Sequence, residues 1–205
     1  MFTRRGLSFT YGALWILVVL CCCAAAMAQD KSASANGDGA QPAAPKPTAS
    51  QTSLKPGDVA PDFTLKDLSG HEVKLSQFRG KNNVVISFVP AAWTPVCSHQ
   101  WPGYNVAKEI FEKNNAVVLG ISVDNAPTLK AWTQQMGNLW FVVLSDFWPH
   151  GAVAKEYGVL RTDGMAERAL FVVDKQGVIR YVDVHDIGKL PRLEVLVKEL
   201  EKLPQ

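Results

Sequence analysis

Pro90, Thr94 and Cys97 lie in the stretch Pro-Ala-Ala-Trp-Thr-Pro-Val-Cys, and their types and spacing are suited to thiol chemistry. Cys97 is the candidate nucleophile, because a thiolate attacks electrophilic centres that a thiol leaves alone. Thr94-Pro95 reads as a helix start: threonine caps, proline suits the first helical position, and Cys97 falls at the third. On this reading the Thr94 oxygen accepts the Cys97 N–H and fixes the backbone beneath the sulfur. The positive end of the helix dipole then favours the thiolate. A helix terminus supplies only ~0.3–1 kcal/mol, at most ~2, and an ordinary thiol with pKa ~8.5 is only ~3% thiolate at pH 7. A charged hydrogen bond from an arginine adds ~1.5–3 kcal/mol. A reactive Cys97 therefore needs a basic partner from elsewhere in the chain; without one it is a small buried hydrophobe, as most free cysteines are.

The elements that must position this stretch follow from periodicity. Val84-Val85-Ile86-Ser87-Phe88-Val89 is a β-branched apolar run, a buried strand that Pro90 ends. The helix from Thr94 is expected to reach about Asn114, with Val106, Ile110 and Phe111 on its core face. Val117–Val123 reads as a strand in the middle of a covered sheet, and Phe141–Leu144 as another strand. Ala126–Met136 and Gly151–Tyr157 read as helices closed by Gly137 and Gly158. Ala169–Asp174 and Val178–Val182 form a hairpin around Lys175-Gln176-Gly177. Pro191–Leu203 is a closing amphipathic helix. At the other end, turns at Pro56-Gly57-Asp58 and Leu68-Ser69-Gly70-His71 frame an opening hairpin-like segment. Alternating strands and helices followed by a hairpin give an α/β class with a mixed central β-sheet flanked by helices.

The 205 residues, 47% of them hydrophobic, with a net charge of +2, describe one globular domain with an extension. So neutral a balance gives no reason to expect nucleic acid. Residues 1–28 read as a signal peptide: Arg4 and Arg5 lead, Ala13–Ala26 is apolar, and Ala26-Met27-Ala28 offers a small-x-small cleavage site. The expected location is periplasmic, after export across the inner membrane. The alternative is a permanent anchor, but the apolar run is short for a span of ~20 residues. Thr3-Arg4-Arg5-Gly6-Leu7 partly resembles a twin-arginine signal. Residues 29–53, rich in Ala, Ser, Pro and Gly, read as a flexible linker, so the domain is expected at 54–205. Three of the four cysteines, Cys21, Cys22 and Cys23, sit in the signal. Cleavage leaves Cys97 alone.

The Pro-x-x-x-Thr-x-x-Cys pattern after a strand resembles the active-site motif of the peroxiredoxins, the AhpC/TSA-type thiol peroxidases, and the resemblance spans Leu54 to Leu203. It implies a thioredoxin-like fold, no cofactor, a peroxide substrate and an external thiol reductant, either a thioredoxin-like protein or a low-molecular-weight thiol. It also implies reduction of hydrogen peroxide or organic hydroperoxides through a sulfenic acid on Cys97. Catalytic and substrate-binding roles fall on Pro90, Thr94, Cys97 and Arg168, since peroxiredoxins place an arginine before a Phe-x-x-Asp strand, here Phe171–Asp174. By itself Arg168 reads as an ion-pair partner of Glu167 or Asp174. Two departures stand out. Relatives often hold the arginine with a glutamate three residues after the cysteine, where this chain has Gln100. Position 102, a resolving cysteine in some relatives, is Pro102, so the chain resembles a one-cysteine enzyme.

Trp93 is expected to wall the pocket, and His99 to be solvated. His71, His150 and His185 lack metal-ligand spacing. A disulfide oxidoreductase on the same fold needs Cys-x-x-Cys, and Gln100 occupies the second position. A non-catalytic binding or holdase module is the other alternative. A homodimer is expected, through Trp93, Phe147, Trp148 and Pro149 in loops.

Overall fold

A computed structural model of the chain describes residues 50–204. The signal peptide and most of the linker lie outside the described residues. The end of the stretch read as linker is not loose: the Ser50 N–H and hydroxyl both donate to Glu167 Oε1, at 2.7 and 3.0 Å. Thr52 packs so closely on Gly158 that a Cβ there would stand 2.8 Å from the Thr52 Cα. Contact with the domain therefore begins about four residues earlier than the sequence suggests.

Seven strands form one mixed sheet in the order β2-β1-β5-β4-β3-β6-β7. β1 (Thr64–Asp67) and β2 (Glu72–Lys74) are the opening hairpin, and β3 (Asn83–Phe88) lies inside the sheet. β3 runs parallel to β4 (Ala116–Ser122) and antiparallel to β6 (Arg168–Val173). β5 (Val142–Ser145) extends the parallel part, and β7 (Ile179–His185) closes the hairpin with β6. The turn between them needs Gly177 at φ +84°, while Asp174 accepts the Gln176 and Val178 N–H groups.

Strand alternation divides the core in two. Val84, Ile86 and Phe88 face a layer with Phe171 and Tyr157. Val85 and Val89 face Trp101, Trp132 and Leu196, residues of α1 (Cys97–Val106), α3 (Ala126–Gln135) and α5 (Leu193–Glu201). Ser87 lies between Val85 and Val89, so alternation places a hydroxyl under α1. Gly120, opposite Ser87 in β4, makes room: a Cβ there would meet the Trp101 ring at 2.8 Å.

The helix expected from Thr94 to Asn114 is two helices. α1 ends at Val106, Ala107 caps it, and α2 (Lys108–Lys113) follows. Val106 is 91% exposed and Ile110 is also exposed; of the three expected core residues only Phe111 is buried. The buried face of α1 is Cys97, Gln100, Trp101 and Tyr104, an i, i+3, i+4, i+7 set. Its polar members hide it from a search for apolar periodicity. The fourth helix, α4 (Ala152–Glu156), is short, and Gly158 follows it at φ +67°.

Candidate active site

α1 begins above the C-terminal end of β3, where the first residue of the antiparallel β6 also arrives. This topology brings Cys97 and Arg168 together across 71 residues. Leu170 and Val172 face the α1 layer, so Arg168, in step with them along β6, points the same way. Both Cys97 and Arg168 are buried. Arg168 Nη2 lies 3.4 Å from Cys97 Sγ, Nη1 donates to Gln100 Oε1 at 2.6 Å, and Nη2 and Nε donate to the Ile187 carbonyl at 3.0 and 3.3 Å.

The carboxylates that neighbour Arg168 in sequence are engaged elsewhere. Glu167 pairs with Arg161 at 2.9 Å, and Asp174 pairs with Arg180. Among the described residues no ion pair reaches Arg168. Its oxygen partners are uncharged, a side-chain amide and a backbone carbonyl, so its positive charge is directed at the sulfur. Gln100 thus takes the geometric part expected of a glutamate without dividing that charge.

Thr94 departs from expectation. α1 starts at Cys97 itself, with Val96 at the cap and no side-chain capping bond. The Thr94 carbonyl accepts the Ser98 N–H at 3.0 Å, but its hydroxyl turns back and donates to the Ala91 carbonyl at 3.0 Å. The hydroxyl therefore braces the loop, not the helix end. Cys97 occupies the first helical position, among the N–H groups that have no partner within the helix. Pro90 is buried at the end of β3.

Trp93 is 53% exposed at φ +67°, a left-handed conformation costing ~1–3 kcal/mol for such a residue. It stands out from the protein, where sequence suggested a pocket wall. The loop keeps this shape because the Ala92 N–H donates to Asp124 Oδ2 at 2.7 Å. Asp124, just past the end of β4, also accepts from Ser122 Oγ. Sequence reading missed Asp124; its only mark is a carboxylate directly after an apolar strand. It also missed Ser87 and Tyr104, which meet Gln100 from below. His99 is exposed, its Nδ1 2.7 Å from the Pro95 carbonyl, consistent with a solvated side chain.

A buried thiol at a helix start, served by an arginine from the antiparallel strand of a thioredoxin-like sheet, defines a peroxiredoxin, an oxidoreductase of the thiol peroxidase class. Residues 56–182 match the AhpC/TSA family, and the chain belongs to that family. Alkyl hydroperoxide reductase E of Mycobacterium tuberculosis is 41% identical over 138 residues, 67% of this chain and 90% of that one. The chloroplastic 2-Cys peroxiredoxin BAS1 of Hordeum vulgare is 34% identical over 157 residues, 72% of this chain and 74% of the relative. Among solved structures, the reduced 2-Cys peroxiredoxin of Plasmodium vivax matches with a TM-score of 0.68 at 27% identity, covering 72% of this chain and 81% of that one. Peroxidoxin BcpB of Mycobacterium tuberculosis matches at 0.65 and 25% identity, covering 74% and 99%.

Proposed function

We propose that this protein is a one-cysteine peroxidase that reduces hydrogen peroxide or organic hydroperoxides through Cys97. The observation that carries the reading is Arg168 Nη2 at 3.4 Å from Cys97 Sγ, a buried guanidinium with no carboxylate on it among the described residues. The thiolate attacks the terminal, hydrogen-bearing oxygen of the peroxide. The S–O bond forms as the O–O bond breaks, and the electron pair leaves on the far oxygen, which takes a proton to become water or an alcohol. Arg168 and the Cys97 N–H donate to the oxygens as charge builds there. The Thr94 hydroxyl proton goes to Ala91, which leaves the Thr94 oxygen free to accept the peroxide O–H. Pro90 closes the wall beside the sulfur.

Cys97 is then a sulfenic acid. An external thiol attacks it, releasing water and forming a mixed disulfide, and a second thiol restores Cys97 while leaving as a disulfide. Among the described residues Cys97 is the one free cysteine, which supports a thioredoxin-like protein or a low-molecular-weight thiol as reductant. A homodimer through the loops bearing Trp93 and Trp148 belongs to the same reading. So does export to the periplasm by residues 1–28, after which the mature chain begins at Gln29. Among the described residues no helix is long and apolar enough to cross a membrane.

The test is peroxide consumption by purified protein with candidate thiols, beside the nearly isosteric Cys97→Ser variant. Wild type consumes peroxide and gains one oxygen at Cys97 by mass spectrometry; the variant does neither. Activity in the variant above about a tenth of wild type, roughly the 1.4 kcal/mol step, defeats the assignment.

A further inference from the structure

The Gln100 side chain has two chemically different ends, and only one of them suits Arg168. Its oxygen accepts from Arg168 Nη1 at 2.6 Å. Turned over, the amide would set N–H groups against a guanidinium that can only donate, and the arginine would lose its hold beside the sulfur. At the other end, Nε2 donates to Tyr104 Oη at 3.0 Å and to Ser87 Oγ at 3.2 Å. Both amide protons are therefore placed, in a region where Ser87 is fully buried and Gln100 and Tyr104 nearly so.

The two hydroxyls are fixed in turn. Trp101 Nε1 donates to Ser87 Oγ at 3.3 Å. Ser87 is held by a strand paired on both sides. The Tyr104 ring is packed against Phe111 and Phe141. Ser87 comes from β3 and Tyr104 and Trp101 from the α1 face, while the hydrogen bond to the sulfur comes from Arg168.

We infer that Ser87 and Tyr104 are positioning residues for peroxide reduction: their hydroxyls hold the Gln100 amide with its oxygen toward Arg168, and so keep the guanidinium on Cys97. The inference rests on the peroxidase reading for its activity arm, but it also concerns the reactivity of the thiol itself. A glutamate at position 100 would have no donor end to misdirect. A glutamine needs acceptors behind it, and a serine of β3 and a tyrosine one turn along the helix supply them.

The experiment compares wild type with Ser87→Ala, Tyr104→Phe and the double variant, each with and without Gln100→Glu. Two rates are read: oxidation of Cys97 by hydrogen peroxide, and its alkylation by iodoacetamide, which needs no peroxidase activity. Loss of both hydroxyls is expected to slow both reactions roughly tenfold, and Gln100→Glu is expected to restore them to within about threefold. A merely structural loss would not be mended at Gln100, because the new carboxylate fills none of the space left behind. Wild-type or faster alkylation in the double variant, or no recovery with Gln100→Glu, overturns the inference. If the double variant does not fold, Tyr104→Phe alone decides by the same two rates and the same rescue. If wild type consumes no peroxide while alkylation follows the expected pattern, the peroxidase reading falls and the positioning role stands.

Discussion

Arg168 reaches Cys97 at 3.4 Å with its charge undivided by any carboxylate among the described residues. A guanidinium fork is needed for this arrangement, because it bonds Gln100, Ile187 and the sulfur at once. Arg168→Ala should slow reaction with peroxide by about 10–150-fold, the loss of one charged hydrogen bond. Arg168→Lys should recover only part of the rate, since a point charge cannot hold three partners in one plane. Stopped-flow measurement of peroxide reduction checks both, and a lysine variant equal to wild type would mean that charge alone suffices.

Asp124 grips the loop between β3 and α1 through the Ala92 N–H. Asp124→Ala removes that acceptor and leaves the strained Trp93 backbone without support. A hydrogen bond to a charged group contributes about 1.5–3 kcal/mol, so the thermal midpoint should fall by roughly 3–12 °C and peroxide reduction should slow. Asp124→Asn keeps an acceptor oxygen and should recover most of both. If calorimetry and kinetics of the alanine variant match wild type, the loop is held by other means.

Burial raises the Tyr104 phenol above its ordinary value of 10.0, against the opposing influence of the neighbouring Gln100 and Ser87 side chains. In the unfolded chain the phenol loses its proton near pH ~10; in the folded protein it keeps it to higher pH. The unfolded state therefore binds fewer protons above that point, and stability present at lower pH falls as pH rises through the folded value. Urea midpoints between about pH 9 and 11 should fall less steeply in Tyr104→Phe than in wild type. Tyr157 and Tyr181 are also raised by burial, so some slope should remain. Equal slopes would place the Tyr104 hydroxyl in contact with solvent.

Residues that speak for themselves were readable in the sequence. β3, β4 and β6 are runs of apolar side chains, and Cys97 and Arg168 carry a motif and a strand start. The gaps arose where one side chain's role depends on another's. Glu167 and Asp174 could each have taken Arg168; the partners Arg161 and Arg180 removed them, and neither pairing follows from spacing. The helix break at Ala107 has no proline or glycine at that point to announce it. Thr94 beside Pro95 looks like a cap, yet the Ala91 carbonyl, reached only because the loop turns at Trp93, takes its proton. Ser87 and Tyr104 are unremarkable until Gln100 lies over both.

Phe147 and Trp148 follow β5 and are 47% and 82% exposed, so they do not pack away against their own helices. They border a cavity of about 420 Å³ that Leu65 and Pro127 also line. Trp93 stands out from the loop beside Cys97. Large aromatic side chains left in water at loop tips favour burial against a partner surface, and a second copy of the same patch satisfies them by two-fold symmetry. Sedimentation at micromolar concentration should therefore give a dimer, and Trp148→Glu should shift it to monomer by burying a charge in the interface. Because Trp93 shares a loop with Thr94, the monomeric variant should also reduce peroxide more slowly than wild type. A wild-type monomer, or a dimer that Trp148→Glu leaves intact, excludes this surface.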